Sequence, residues 1–288
     1  MTDFNKTGYY YSITAKLEKS YWHGLTGSFA YTYSDARVIN DGVGDQPGSA
    51  WKALVSERGT NNIELGFPTY VMPHRIVANV SYSTDYAKYF GTTVALAYYG
   101  GTATRSNLNY VSNVFADGAY QYSLIDVPTK EQLASWQFKD NGDYTADQQR
   151  ADFETYIQSN KYLSEHRGGI LTRNALTSPW RHSFDLKVNQ NFYFYTGANQ
   201  HKHTLQFGVD IADVHTLINH SWGRGWSVNA GDGYGNGNPL NLTNAGAVYT
   251  TGAKPVFQFQ KNGTEKLTEV FTRSGSSWEM IFSVRYIF

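Results

Sequence analysis

The chain contains no cysteine, so neither a disulfide framework nor a thiolate metal site is available to it. It carries no excess of either charge, with 24 basic against 24 acidic residues. That balance removes any strong pull toward nucleic acid or an anionic surface, and no nucleic-acid partner is expected. No run of 18 apolar residues occurs, so no transmembrane helix can be drawn. A nucleophile elbow, a phosphate loop and an HExxH helix are all missing. Glu165, Asp185 and Asp210 are candidate acids, but their spacing gives no pairing. The expectation is therefore a protein that is not an enzyme and needs no cofactor. The opening residues 1–8 lack the basic-then-apolar order of a secretory signal. That leaves a cytosolic chain or a piece of a longer protein, and the piece is the expectation.

Aromatic residues are what the chain has in plenty: 23 Tyr, 16 Phe and 7 Trp. Tyrosine at this level suits sites that are half apolar and half wet, such as membrane interfaces or sugar-binding surfaces. The arrangement is strict alternation. Near the C-terminus Trp278, Met280, Phe282, Val284, Tyr286 and Phe288 fall on one face, and Glu279, Ile281, Ser283, Arg285 and Ile287 on the other. Eleven residues at ~3.3 Å each make about 36 Å of strand, which at a ~45° tilt covers the apolar height of a membrane barrel. The pattern repeats over 11–18, 25–33, 75–84, 91–104, 183–194 and 204–212, and more weakly over 255–260. About eight strands are expected.

Connections alternate between short ones, at 20–24, 84–89 and 196–202, and long ones, at 38–74, 105–181 and 215–254. Short turns on one side with long loops on the other is the organisation of outer-membrane barrels. Within the longest loop one helix is expected from Thr145 to Leu163, capped by Thr145 and burying Phe153, Tyr156, Ile157 and Tyr162. A soluble β-sandwich also alternates. Rings gathered near strand ends, at 9–11, 192–195 and 286–288, favour the interfacial girdle of a membrane barrel instead.

Three stretches carry a resemblance. The segment from Phe282 to Phe288, ending in Phe with an aromatic two residues earlier, resembles the terminal strand of outer-membrane proteins. In those proteins such a strand is read by the barrel-assembly machinery, which implies that role for Met280, Phe282, Val284, Tyr286 and Phe288. The segment 162–168, with Arg173-Asn174 and 179–185, resembles the large-loop-to-strand region of Bacteroidetes TonB-dependent receptors, in particular the Oar-like group with its carboxypeptidase-regulatory-like domain. Residues 72–82 and 97–101 are similar to paired strands of that group, and 116–118 leading to 124–128 is a looser echo. The resemblance runs from about Gly8 to Phe288 but covers only the last third or so of such a receptor. It implies a Gram-negative outer-membrane location and a barrel of about 22 strands. It also implies a plug whose TonB box couples uptake to the TonB complex. The chain has no plug, so any coupling to TonB is expected to run through a part absent here.

Seven charged residues, Lys16, Glu18, Asp185, Lys187, Asp210, Glu279 and Arg285, alternate onto the polar side, as a water-filled lumen requires. His201 and His203 share a strand face but lack a third ligand, so no metal is expected. The stretch 231–238 is glycine-rich without the acidic ligands or closing Glu of a calcium loop. Trp51, Trp136, Trp222, Trp226 and Tyr234 are loop aromatics suited either to ligand stacking or to packing.

The expectation is an all-β, antiparallel transmembrane barrel segment of a TonB-dependent receptor. Its partners would be outer-membrane lipid, the assembly machinery and a small-molecule, oligosaccharide or peptide ligand. The rivals are a self-contained eight-stranded porin or adhesin, an outer-membrane enzyme, and a soluble carbohydrate-binding β-domain. Expressed alone in water, a barrel segment exposes two strand edges and aggregates or oligomerises. Size-exclusion chromatography with light scattering checks this, and a monodisperse monomer without detergent is the contrary result.

Overall fold

The computed structural model describes residues 7–40, 45–102, 105–119, 123–223, 225–228, 237–260, 267–270 and 277–288. The chain is mostly β, and one antiparallel sheet of seven strands dominates it. Its strands are β1 (Tyr9–Trp22), β2 (Leu25–Arg37), β3 (His74–Tyr86), β4 (Phe90–Thr102), β5 (Trp180–Thr196), β6 (His201–Ala212) and β7 (Glu279–Ile287). They lie side by side in chain order. β1 and β7 form the two edges, and among the described residues they do not pair with each other.

All three short connections fall at one end of the sheet. The first holds His23 at φ 51° and Gly24 at φ 85°, the two left-handed residues that match a tight hairpin to strand twist. A Cβ on Gly24 would run into the Ser83 carbonyl, so the position needs glycine for space as well. The long connections, 38–73, 103–179 and 213–278, all leave the opposite end.

Two expectations are corrected. The strand near 255–260 forms as Val256–Phe259, but it pairs with Leu240–Leu242 and Gln137–Phe138 in a separate four-stranded sheet. Its alternation buries Phe257 and Phe259 in a different core, so the main sheet has seven strands and not eight. In the longest connection α1 (Lys130–Ser135) precedes the expected helix, which is itself broken into α2 (Ala146–Ser159) and α3 (Lys161–Glu165). Asn160 leaves the helical region at φ −108°, ψ 119°, and its side chain accepts from Leu163 N to cap the next helix. The strand read over 91–104 runs Phe90–Thr102, and residues 103–104 lie outside the described set.

The long connections fold together around a hydrophobic core of their own, which includes Leu108, Ile125, Phe153, Ile157, Leu240 and Phe259 and no residue of β1–β7. Helix α2 starts at a capping box, with Thr145 accepting from Gln148 N and Gln148 accepting from Thr145 N. It buries Phe153, Tyr156 and Ile157, and burial pushes the Tyr156 phenol well above its usual pKa. Tyr162 is half-buried against the same core and stacks on His166 with ring centroids 3.9 Å apart. Gln149, fully buried on the same helix, donates to the Lys139 and Tyr144 carbonyls and accepts from Phe259 N. It thereby satisfies backbone groups that burial would otherwise leave unpaired.

A second polar knot ties the connections to one another. Arg173, 3% exposed, donates to the Ile39 and Val38 carbonyls at 2.6 and 2.5 Å. Asn174, left-handed at φ 55°, exchanges hydrogen bonds with Asn107 and donates to the Phe67 carbonyl at 2.7 Å. Phe67 lies between two guanidinium groups, Arg37 at 3.2 Å and Arg105 at 4.0 Å. Burial, with the nearby Arg37 charge, brings Arg105 down to about 10. Asp117 is a further tie, accepting from Thr60 N and Oγ1 and from Asn113 and Ala119 N. Burial pushes its carboxyl up, but the hydrogen bonds together hold it below the usual range.

Asn174→Ala leaves the Phe67 carbonyl and the Asn107 amide without these partners. A loss of about 2–4 kcal/mol of local stability is expected from two such groups. Faster amide hydrogen exchange confined to 38–71 and 105–110, with β5 and β6 unchanged, is the readout.

Candidate functional site

The sheet presents two unlike faces. On the apolar face the register aligns Phe282, Val209, Val188, Val94, Tyr82 and Leu25 in one cross-strand row, and Met280, Ile211, Leu186, Leu96 and Val80 in the next. Leu17, Phe282 and Val284 are 73%, 73% and 67% exposed, which sets them apart from the interior side chains of the loop core. Aromatic rings flank this middle zone at both ends. Toward the short turns Tyr86, Phe90 and Phe192 meet in series at 5.8 and 5.6 Å, and Phe194, His203, Tyr286 and Phe288 continue the band. Toward the long connections Tyr9, Tyr11, Tyr33 and His74 form one group, and Tyr98, His182 and Phe184 another. From Phe90 to Tyr98 along β4 is about 26 Å of strand.

Within those bands three histidines are hydrogen-bonded to tyrosine hydroxyls across neighbouring strands: His74 to Tyr31 at 2.8 Å, His182 to Tyr98 at 2.8 Å and His203 to Tyr286 at 2.7 Å. His203 also meets Thr196 at 2.6 Å. Sequence reasoning missed these pairs, because the partners lie up to 84 positions apart and meet only through the register. Among the described residues no group of three His, Asp or Glu is placed to hold a metal.

On the opposite face the register brings all seven singled-out charges to one side. Lys16 stands opposite Ala30, Ala30 opposite Val77, Val77 opposite Tyr99, and Tyr99 opposite Ser183, two residues from Asp185. Asp210 stands opposite both Lys187 and Ile281. The seven do not form one cluster. Lys187 Nζ lies 2.9 Å from Asp210 Oδ1, and Lys16 lies 2.5 Å from Glu18 on the edge strand. Asp185 accepts from Asp213 N at 2.9 Å at the end of β6. Glu279 and Arg285 are exposed and have no ion-pair partner among the described residues, with Arg285 opposite Gln206.

Small side chains on β3 and β4, among them Ser81, Ala95 and Ala97, leave an open depression of about 510 Å³ beside Asp185, Lys187 and Asp210. Around it the face is laced by hydroxyl and amide pairs: Thr26 with Ser81 at 2.6 Å, Asn79 with Ser28 at 2.7 Å, Ser83 with Thr93 at 2.9 Å and Tyr193 with Asp85 at 2.8 Å.

Of the loop aromatics, Trp136 packs inside the connections, 4.4 Å from Phe257, while Trp51 and Trp222 are exposed. The side chain of Trp226, Tyr234 and most of 231–238 lie outside the described residues. Arg173 and Asn174, noted in the sequence for their resemblance, occupy the buried knot between connections. No family model, curated protein or solved structure matches the chain.

The Lys187–Asp210 pair is half exposed on both sides, at 51% and 38%. Solvent screening limits such a pair to about 0.2–1 kcal/mol. A double-mutant cycle with Lys187→Met and Asp210→Asn is expected to return a coupling in that range that shrinks with added salt. A salt-insensitive coupling of several kcal/mol is the contrary result.

Proposed function

We propose that the chain is the C-terminal barrel segment of a TonB-dependent outer-membrane receptor, embedded in lipid and taking part in ligand uptake. One observation carries this reading: an apolar face runs unbroken across seven strands and is bare, while the folded core lies elsewhere. In water such a face is a large penalty, at roughly 25 cal/mol per Å² of exposed apolar surface. Against hydrocarbon chains it is at its lowest free energy, and its two aromatic bands suit the two membrane interfaces. The polar face then lines the interior, where Lys187, Asp185 and Asp210 stay hydrated.

The unpaired edges of β1 and β7 support a segment of a larger barrel over a self-contained one, since closure requires every edge to find a partner. The rest of the receptor would supply those strands and the plug that meets TonB. The bundled connections would face outward, on the ligand side. The terminal strand, with Met280, Phe282, Val284, Tyr286 and Phe288 on its apolar face, is the part the assembly machinery would read.

Nitroxide labels placed singly at Gly208, Val209, Phe282 and Ser283 of the chain refolded into lipid vesicles test the reading. Labels at Val209 and Phe282 are expected to be accessible to oxygen and shielded from a water-soluble nickel chelate, and those at Gly208 and Ser283 the reverse. Equal accessibility at all four positions overturns it.

A further inference from the structure

The bundled connections contain a cleft of about 440 Å³ that none of the foregoing uses, a volume within the range of small-ligand sites. Asp126 and Lys254 both line it, together with Val127, Pro128, Trp136 and Pro255. Most of its wall is apolar, and its charged groups are of opposite sign.

Asp126 is the unusual group. Its carboxylate accepts one hydrogen bond, from the Tyr110 hydroxyl at 2.8 Å. Burial pushes its pKa up, opposed by that bond, and among the described residues no cation contributes. Arg167 is close by, reaching the Pro128 carbonyl at 3.4 Å, but its guanidinium is held by both carboxylate oxygens of Glu154 at 2.8 and 2.9 Å. Lys254 is exposed and has no ion-pair partner among the described residues.

Two of the cleft's neutral polar side chains are engaged within the chain, while Gln137 contributes one exposed amide. The Gln132 side-chain oxygen accepts from Thr129 N at 2.8 Å, and the Ser135 hydroxyl donates to the Gln132 carbonyl at 2.6 Å. Trp136 is stacked near-parallel on Phe257 and so does not offer both ring faces to a sugar. What the cleft offers is one half-buried carboxylate, one ammonium, a single amide and an apolar wall. A carbohydrate needs many neutral donors and acceptors, whereas a zwitterion with an apolar middle needs this set.

We propose that the cleft binds short peptides with free ends, the peptide ammonium on Asp126, its carboxylate on Lys254 and an apolar side chain along Val127, Pro128 and Pro255. As the cargo of an importer the peptide rests on the receptor reading; the binding itself does not.

Calorimetry on the full chain in detergent, with the tripeptides Ala-Leu-Ala and Ala-Phe-Ala as probes, tests the site. N-acetylation is expected to weaken binding about tenfold or more, as loss of a hydrogen bond to a charged group does. Asp126→Asn keeps the acceptor for Tyr110 and is expected to show the same loss, with no further loss on acetylating the peptide. Lys254→Met is expected to be indifferent to C-terminal amidation, which weakens binding to the unaltered chain. No binding of either tripeptide overturns the proposal, as does equal binding by Asp126→Asn, or binding of maltotriose that the peptides do not displace. Insertion in the nitroxide experiment without peptide binding removes the site and leaves the receptor reading. Binding without insertion does the reverse.

Discussion

A strand turns successive side chains to opposite sides, and the whole molecule depends on that period of two being carried across six strand junctions in one phase. A slip of one residue at any junction would throw an apolar set onto the polar face. The irregularity between Ser20 and Trp22 lies beside the first hairpin, where it disturbs no more of the ladder than its last rung. From Tyr9 to Ser20 each residue of β1 meets its partner on β2 without a break, and the same holds between β3, β4, β5 and β6. The Tyr–His pairs reinforce this phase, because each joins two strands on the apolar face only at the correct offset.

The seven strands and the face of every singled-out charge were readable because the period-2 signal is local. Any window of eight residues carries it, whatever the strand is paired with. The same locality explains the error at Val256–Phe259. Its alternation is as regular as that of β7, but nothing within four residues states which sheet it joins. The break at Asn160 had a usable signal, since an Asn three residues before the leucine whose amide it caps is a helix-start pattern. The knot of Arg173, Asn174, Asn107 and Phe67 had none. Its members are separated by up to 107 positions, and a buried arginine looks like an exposed one in a string of letters. The cleft at Asp126 was hidden for the same reason, because it is defined by which partners its lining groups already have.

Two kinds of packing divide the chain between them. The sheet is held by backbone pairing and cross-strand contacts of hydroxyls, amides and rings, with little burial. The connections are held as a small water-soluble protein would be, by an apolar core, two capping boxes and buried polar side chains each given a partner. That division explains how one chain can keep an uncovered apolar surface and an orderly interior at once.

The knot also changes the arithmetic of chain entropy. A connection as long as 103–179, if free, would retain a wide conformational ensemble and fluctuate independently of its neighbours. Fastened at Asn107 and Asn174 to each other, at Arg173 to residues 38 and 39, and at Asn174 to Phe67, it becomes a set of shorter closed rings. Each ring has less freedom to lose when something is bound, since closure entropy grows with the logarithm of ring size. The fastenings couple two connections that rise from different hairpins, so displacement of one is transmitted to the other as a shared motion.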